Sequence, residues 1–270
     1  MNSLQIEELK IAKYLNEVCD QLGLHCFMLG GTLLGAVRHT GFIPWDDDMD
    51  FGLPRHEYEQ LIQHLIENPS SEYSVKYFKL NNTHDYPVKL ESKSAYLVDN
   101  SKKEAVKRGA WIDIFPLDGM PNNKMLRKIH SFNLLAVRAL FKFSQLDTGV
   151  AIANPTRTTT EKVVLKVGKF IHLDKILDEQ KMFQRLDRIM KKYDYTLSND
   201  VINFMGAYKI KEMFPKEIYQ EVSNYAFADT TFKGPKDSDF VLRQMYGENY
   251  MLPPSDAIKN KHSSKIINNQ

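Results

Sequence analysis

The chain holds only two cysteines in 270 residues, Cys19 and Cys26. No CxxC and no Cys/His grouping surrounds them, so a disulfide framework or a zinc ribbon is excluded. The expected state is two reduced thiols packed as small apolar side chains, which fits a cytoplasmic protein. Long hydrophobic runs are missing too. Nothing reaches the roughly 18 uncharged apolar residues of a membrane-spanning helix, so none is expected. The first twenty residues include Glu7, Glu8, Glu17 and Asp20, which argues against a secretory signal. The charges nearly cancel, to a net +2. That excludes a uniformly basic coat for nucleic acid and leaves room for local basic patches. No internal repeat is visible.

What is present suits a sizeable core. Hydrophobic residues make up 43% and charged residues 26% of the chain, a balance that disordered chains do not show. Fifteen Phe and 13 Tyr can fill a core or line a pocket. Residues 4–22 carry apolar side chains at near-helical spacing, and Gly23 stops the pattern. His25 to Leu29 reads as a short buried strand broken by Gly30-Gly31. Thr32 can cap a helix to about Arg38. Asp48 to Leu53 alternates like a strand, and Pro54 opens a helix to about Glu67. Residues 73–79 and 86–98 read as strands about an Asn81-Asn82 turn. Trp111 to Phe115 reads as another strand, ended by Pro116. The pattern strand, helix, strand, helix, then several strands predicts an α+β core over 1–121. Long helices are expected at 122–146 and 158–193, flanking a polar loop at 149–160, so that 122–200 forms a basic helical segment. A mixed, aromatic-rich part over 201–270 completes the same domain.

The chemistry concentrates between Gly30 and Arg55, GGTLLGAVRHTGFIPWDDDMDFGLPR. Gly-Gly between a strand and a helix start lets an anion approach the backbone, where free N–H groups and the helix dipole favour phosphate. By itself the pair is equally a plain tight turn. Strand alternation points Asp48 and Asp50 one way and Met49 and Phe51 the other. Two neighbouring carboxylates on one face repel unless a cation lies between them, and Mg²⁺ is held by a few carboxylates plus phosphate oxygens and water. Asp113 lies in an otherwise apolar strand, Trp111-Ile112-Asp113-Ile114-Phe115. Unpaired, its buried charge would cost several kcal/mol; a metal shared with Asp48 and Asp50 resolves the conflict, and a paired or capping role is the structural alternative. Three aspartates and an anion-binding turn supply what phosphoryl transfer needs, positioning and charge neutralisation. Asp113 is the choice for accepting the proton of an attacking hydroxyl. Asp46 and Asp47 are expected at the edge of the substrate site, with Gly30, Gly31, Thr32 and Arg38 as further binding residues. Arg38 could grip phosphate with its planar fork, or be a surface charge. Arg55 is the weaker candidate for that role, and His39 is read as structural.

At this point the sequence resembles the LicD family of phosphotransferases, related to the fukutin proteins. The resemblance rests on Gly30 to Arg55 with its Pro44-Trp45-Asp46-Asp47-Asp48 run, on Trp111 to Gly119, on Phe214-Pro215-Lys216-Glu217, and on Tyr246-Gly247 followed by Leu252-Pro253-Pro254. It implies a nucleotidyltransferase-like mixed sheet with flanking helices and a helical appendage. It implies Mg²⁺ (with Mn²⁺ as the alternative ion) held by Asp48, Asp50 and Asp113. It also implies transfer of a phospho-alcohol, typically phosphocholine from CDP-choline, to a hydroxyl of a cell-surface glycan such as teichoic acid, lipopolysaccharide or capsule. Ribitol phosphate and glycerol phosphate from the corresponding CDP-alcohols are the nearest alternatives. After the Pro-Pro the family often carries an Arg three residues before a His; here Lys259 and His262 stand in that order after a longer spacer, and lysine has no planar fork.

Residues 122–146 contain Lys124, Arg127, Lys128, Arg138 and Lys142 and no acid. Such a helix either packs on the domain with a solvated basic edge, the favoured expectation, or rests on an anionic membrane at the inner face, where a lipid-linked glycan acceptor would be found. A choline head group would call for several aromatic faces, drawn from Tyr86, Tyr96, Trp111, Phe115, Tyr208, Tyr225, Phe227 and Tyr246. Nucleotidyl transfer to a nucleic acid is disfavoured by the near-neutral charge. An inactive scaffold or binding protein is disfavoured because unused clustered carboxylates destabilise a fold.

Overall fold

A computed structural model of the chain describes residues 1–46, 48–99, 106–145, 176–254 and 266–268. The first helix, α1 (Ser3–Leu22), begins at a reciprocal cap between Asn2 and Gln5 and ends at Gly23, whose φ of 68° closes the last turn. It buries Leu4, Leu9, Ile11, Leu15 and Val18. Gln5 has a second task. Its side-chain amide donates to the Asp46 carbonyl at 2.8 Å, so α1 anchors the loop that carries the acidic run.

β1 (Phe27–Met28) leads into α2 (Gly30–His39). β2 (Asp50–Pro54) follows, then α3 (Arg55–Glu67). β3 (Tyr73–Lys76), β4 (Val88–Asp99) and β5 (Val106–Gly119) complete the centre of the sheet. The eight strands lie in the order β1-β2-β5-β4-β10, where β10 is Ile266–Asn268. β3 joins β4, and β6 (Asp200–Ile202) bridges β5 to β7 (Met213–Pro215). β2 and β5 run parallel, while the other pairs in this sheet are antiparallel. The sheet is thus mixed and the class α+β, as the patterning predicts. α4 (Lys124–Ser144) packs against α5 (Glu179–Met190), and a separate hairpin of β8 (Val222–Phe227) and β9 (Thr230–Pro235) precedes α6 (Ser238–Tyr246). Cys19 and Cys26 are buried free thiols.

Three local readings are corrected. Thr32 does not cap α2; the helix starts two residues earlier, with Leu29 at the cap and no side-chain cap bond. β2 begins at Asp50, which leaves Asp48 in the loop before it. Pro116 does not end β5, which continues to Gly119. The Asp113 N–H donates to the Met49 carbonyl of the β2 side, so by alternation the Pro116 nitrogen faces the opposite edge. There β4 has left after Ile114 and β6 joins only at Asp118, so no donor is required of a proline. The expected loop at 149–160 lies outside the described residues, as do Lys259 and His262. The helix expected at 158–193 is not continuous where it is described: α5 starts only at Glu179, because the Asp178 side chain accepts from the Lys181 N–H and caps a new helix there.

Candidate active site

The site is built where the parallel strands meet. Asp50 opens β2, and Asp113 is its register partner on β5. Two bonds fix the start of β2: the Asp50 N–H donates to the Thr32 hydroxyl at 2.8 Å, and the Leu29 N–H donates to the Asp50 carbonyl at 3.0 Å. The β1–α2 turn and the first acidic strand are therefore one unit. Met49 and Phe51 are buried in the core, which leaves the other face of the chain for Asp48 and Asp50. Gly30 has a φ of +49°, a left-handed conformation that favours glycine. A side chain at Gly31 would run into the Asp46 carboxylate at 2.6 Å, and one at Gly30 would meet Asp50 at 3.5 Å. The positive end of α2 thus lies directly against the carboxylates.

These residues line one wall of a cleft of about 890 Å³. Gly30, Gly31, Arg38, Asp46, Asp48, Asp50 and Asp113 all face it. The opposite wall comes from much later in the chain: Asn203, the 205–208 turn, Glu212, Tyr246 and the 249–254 segment.

The cleft is an electrostatic conflict. Burial pushes the Asp50 carboxyl well above its ordinary pKa, and Asp48, Asp113, Glu212 and Asp46 push it further. Burial also raises Asp113, and Lys89 opposes this. Lys89 is the β4 register partner of Asp113; its ammonium lies 2.6 Å from Asp113 Oδ1 and 5.1 Å from the centre of the Trp111 ring. The Trp111 indole N–H adds a bond to Asp113 Oδ2 at 3.3 Å. Glu212 is a buried part of the opposite wall. It accepts from the Tyr208 N–H at 2.8 Å and from the Asn203 amide at 2.7 Å. Burial outweighs those bonds and the Arg138 charge and pushes its carboxyl up to about 7.

The donor chemistry fits a hard divalent cation. Every acidic side chain on the cleft offers oxygen, and an added positive charge would relieve Asp50. The carboxylates are not closed around a point: among the described residues no three His, Cys, Asp or Glu side chains form a metal-enclosing group. Asp48, Asp50 and Asp113 are the residues that would hold the ion.

Comparison with known proteins agrees with this layout. Residues 23–147 match the family described as LicD/FKTN/FKRP, nucleotidyltransferase domain. The chain carries a LicD-family domain. It is 26% identical over 262 residues to the lipopolysaccharide cholinephosphotransferase LicD of Haemophilus influenzae, covering 96% of this chain and 94% of that protein. It is 45% identical over 42 residues to the human ribitol 5-phosphate transferase FKRP, covering 16% of this chain and 8% of that protein. An uncharacterized protein of Rickettsia prowazekii shares 36% over 73 residues, 27% of each chain. The relatives named for an activity are transferases of phospho-alcohols.

The LicD-family domain supplies Gly30, Gly31 and all the described aspartates of the cleft, whereas Glu212, Tyr208 and Tyr246 lie beyond residue 147. Not every expected residue reaches the site. Thr32 is buried and absent from the cleft lining, its hydroxyl engaged by the Asp50 N–H. Asp47 lies outside the described residues. Arg38 lines the cleft, but its Nη1 donates to the Tyr250 carbonyl at 2.7 Å. His39 packs edge-on against Trp45 and bonds Arg38, a structural role. Arg55 is neither a surface charge nor a cleft residue. Its guanidinium grips Asp118 through two bonds of 2.6 Å and also reaches Asp187 and Tyr86. Of the aromatic candidates, Phe115, Tyr208 and Tyr246 line the cleft, the last two in edge contact at 5.3 Å. Tyr86 belongs to the Arg55 network, Tyr225 bonds the Pro235 carbonyl, and Phe227 is core. Sequence reasoning missed Lys89 and Glu212. For Lys89 a signal existed: Val88 and Leu90 are apolar and Lys89 alternates out between them. Glu212 sits in a Lys-rich stretch with no such cue.

Proposed function

We propose that the chain transfers a phospho-alcohol from a CDP-alcohol to a hydroxyl of a cell-surface glycan, with phosphocholine from CDP-choline as the first substrate to test. One observation supports this above the others. Asp50 and Asp113 are partners on adjacent parallel strands, and with Asp48 they share a cleft with the glycine turn at the head of α2. The similarity to a cholinephosphotransferase along nearly the whole chain supports choline over ribitol, for which the likeness is short.

In this reading the diphosphate lies against Gly30 and Gly31, where backbone N–H groups and the helix dipole receive it. Mg²⁺ or Mn²⁺ at Asp48, Asp50 and Asp113 would offset the negative charge of the phosphoryl oxygens. Lys89 holds Asp113 in place and occupies its Oδ1, so that oxygen is not free to receive the proton of an attacking hydroxyl. Glu212, raised to about 7, is better matched to accept the proton of the attacking hydroxyl near neutral pH. Tyr208 and Tyr246 offer aromatic faces at the same wall for a quaternary ammonium.

The test is direct. The purified chain is incubated with CDP-choline, CDP-ribitol or CDP-glycerol, with and without a glycan acceptor, and CMP is measured. Metal-dependent CMP release that is fastest with CDP-choline and stopped by a chelator is expected. No CMP from any donor, with or without acceptor, overturns the reading.

A further inference from the structure

The outer side of α4 carries a row of exposed apolar side chains. The helix buries one row, including Leu134, Val137 and Phe141, against the domain. A solvated opposite side would ordinarily be polar. Instead Met125, Ile129 and Phe132 stand outward, 73%, 55% and 73% exposed. Their i, i+4, i+7 spacing puts them in one line on the helix, and half-buried Ala136 continues it at i+11. Exposed Lys124 and Lys128 edge this row, and no acidic residue occurs anywhere in the helix. Leu197, 77% exposed, belongs to the turn whose carbonyl accepts from Asn122 just before α4, so a second element adds apolar surface at the same end. Among the described residues no helix is long and apolar enough to cross a membrane. The arrangement suits a helix lying in an interface plane.

We propose that the outer face of α4 docks on an anionic lipid surface, with Met125, Ile129 and Phe132 entering the headgroup boundary and Lys124 and Lys128 pairing with lipid phosphates. The charge pattern selects this occupant. A second copy of the chain meeting the same face would bring two acid-free, lysine-edged helices together, and like charges repel. An anionic bilayer offers an apolar layer bordered by negative charge, which complements both features. The surface is joined to the cleft. Arg138, on the inward side of α4, donates to the carbonyls of Phe204 and Gly206, and Gly206 lines the cleft. Docking would therefore hold the cleft close to the bilayer.

The experiment sediments the purified full chain with vesicles of phosphatidylcholine alone or mixed with phosphatidylglycerol, at low and high salt. Binding to the mixed vesicles that salt weakens is expected. Phe132→Asp, or Phe132→Ser if the first variant folds poorly, should lower partitioning about tenfold. Lys124→Glu with Lys128→Glu should lower it about as much again and remove the salt dependence. CMP release from a CDP-alcohol in vesicle-free buffer should be unchanged in these variants, so a failed docking and a failed transferase reading are told apart. Absence of wild-type binding to the mixed vesicles overturns the proposal, as does binding that Phe132→Asp leaves intact. A concentration-dependent dimer that Phe132→Asp dissolves, without vesicle binding, overturns it in favour of a second copy.

Discussion

Two carboxyls in the cleft pull against their surroundings for different reasons. Asp50 is raised by burial and by the other acids beside it, so keeping it ionised at neutral pH works against folding. Asp50→Asn removes that repulsion and keeps the shape. Turnover should fall on the order of 10²–10³-fold, the scale of losing one preorganised electrostatic group. The melting temperature without divalent ions should hold or rise. Mg²⁺ should raise it in the wild type and not in the variant, by calorimetry. A variant that melts earlier and still responds to Mg²⁺ would contradict this. Glu212 is raised by burial alone, to about 7. Because the folded state holds its proton more tightly than the unfolded chain, its destabilising effect is absent at low pH. It appears as pH rises through the unfolded carboxylate range and is complete above about 7. As a proton acceptor it works only when ionised. A profile of kcat/KM against pH should therefore rise to a plateau with a midpoint near 7. Glu212→Gln should flatten that limb and lower the rate about 10²–10⁴-fold.

At the scale of elements, α3, β5 and α5 are tied by the buried Arg55 pair. Burial alone would lower the Arg55 pKa, but Asp118 outweighs it and holds the guanidinium well above its ordinary value. Asp118→Asn should cost about 3 kcal/mol by urea unfolding, because it removes the main charge that offsets buried Arg55 and leaves the guanidinium only its longer contact to Asp187. CDP-alcohol binding per folded molecule should be retained, because Arg55 does not line the cleft. This network also marks what was readable in the sequence. The alternation through Asp48, Met49, Asp50 and Phe51 and the lone acid of the Trp111 strand were legible, because facing is a local property of a strand. That Asp50 and Asp113 are partners is a register between distant stretches, and periodicity carries no register. Thr32 was misread for the same reason: its hydroxyl could serve its own helix or the distant Asp50 N–H, and only the fold decides. Arg55 reads as an exposed helix-start charge until Asp118 and Asp187 are brought to it. Lys89 was visible as outward-facing, but its partner across β4 and β5 was not.

For the whole molecule, the consequential fact is that the cleft is not contained in the matched domain. One wall ends with β5, and the other comes from residues 203–212 and 245–254, outside the 23–147 match. The later wall is held by few secondary-structure bonds of its own. The loop from Asn203 to Tyr208 relies on the Glu212 carboxylate and on Arg138 from α4, and the 249–254 segment on Arg38. A donor that spans the cleft would stitch the two walls together. At about 100 times its Kd such a ligand adds roughly 2.7 kcal/mol to stability, or about 5 °C in melting temperature for a chain of this size. Hydrogen exchange on the full chain localises that gain. CDP-choline with Mg²⁺ should slow exchange in 29–50 and, in the same measurement, in 203–212 and 246–254. A donor bound to the domain alone would protect only the first stretch, and the later wall would then have no part in recognition. Protection of both at once would mean that part of the donor is held by residues the matched domain does not contain, and loss of the later protection when CMP replaces CDP-choline would assign the alcohol end to that wall.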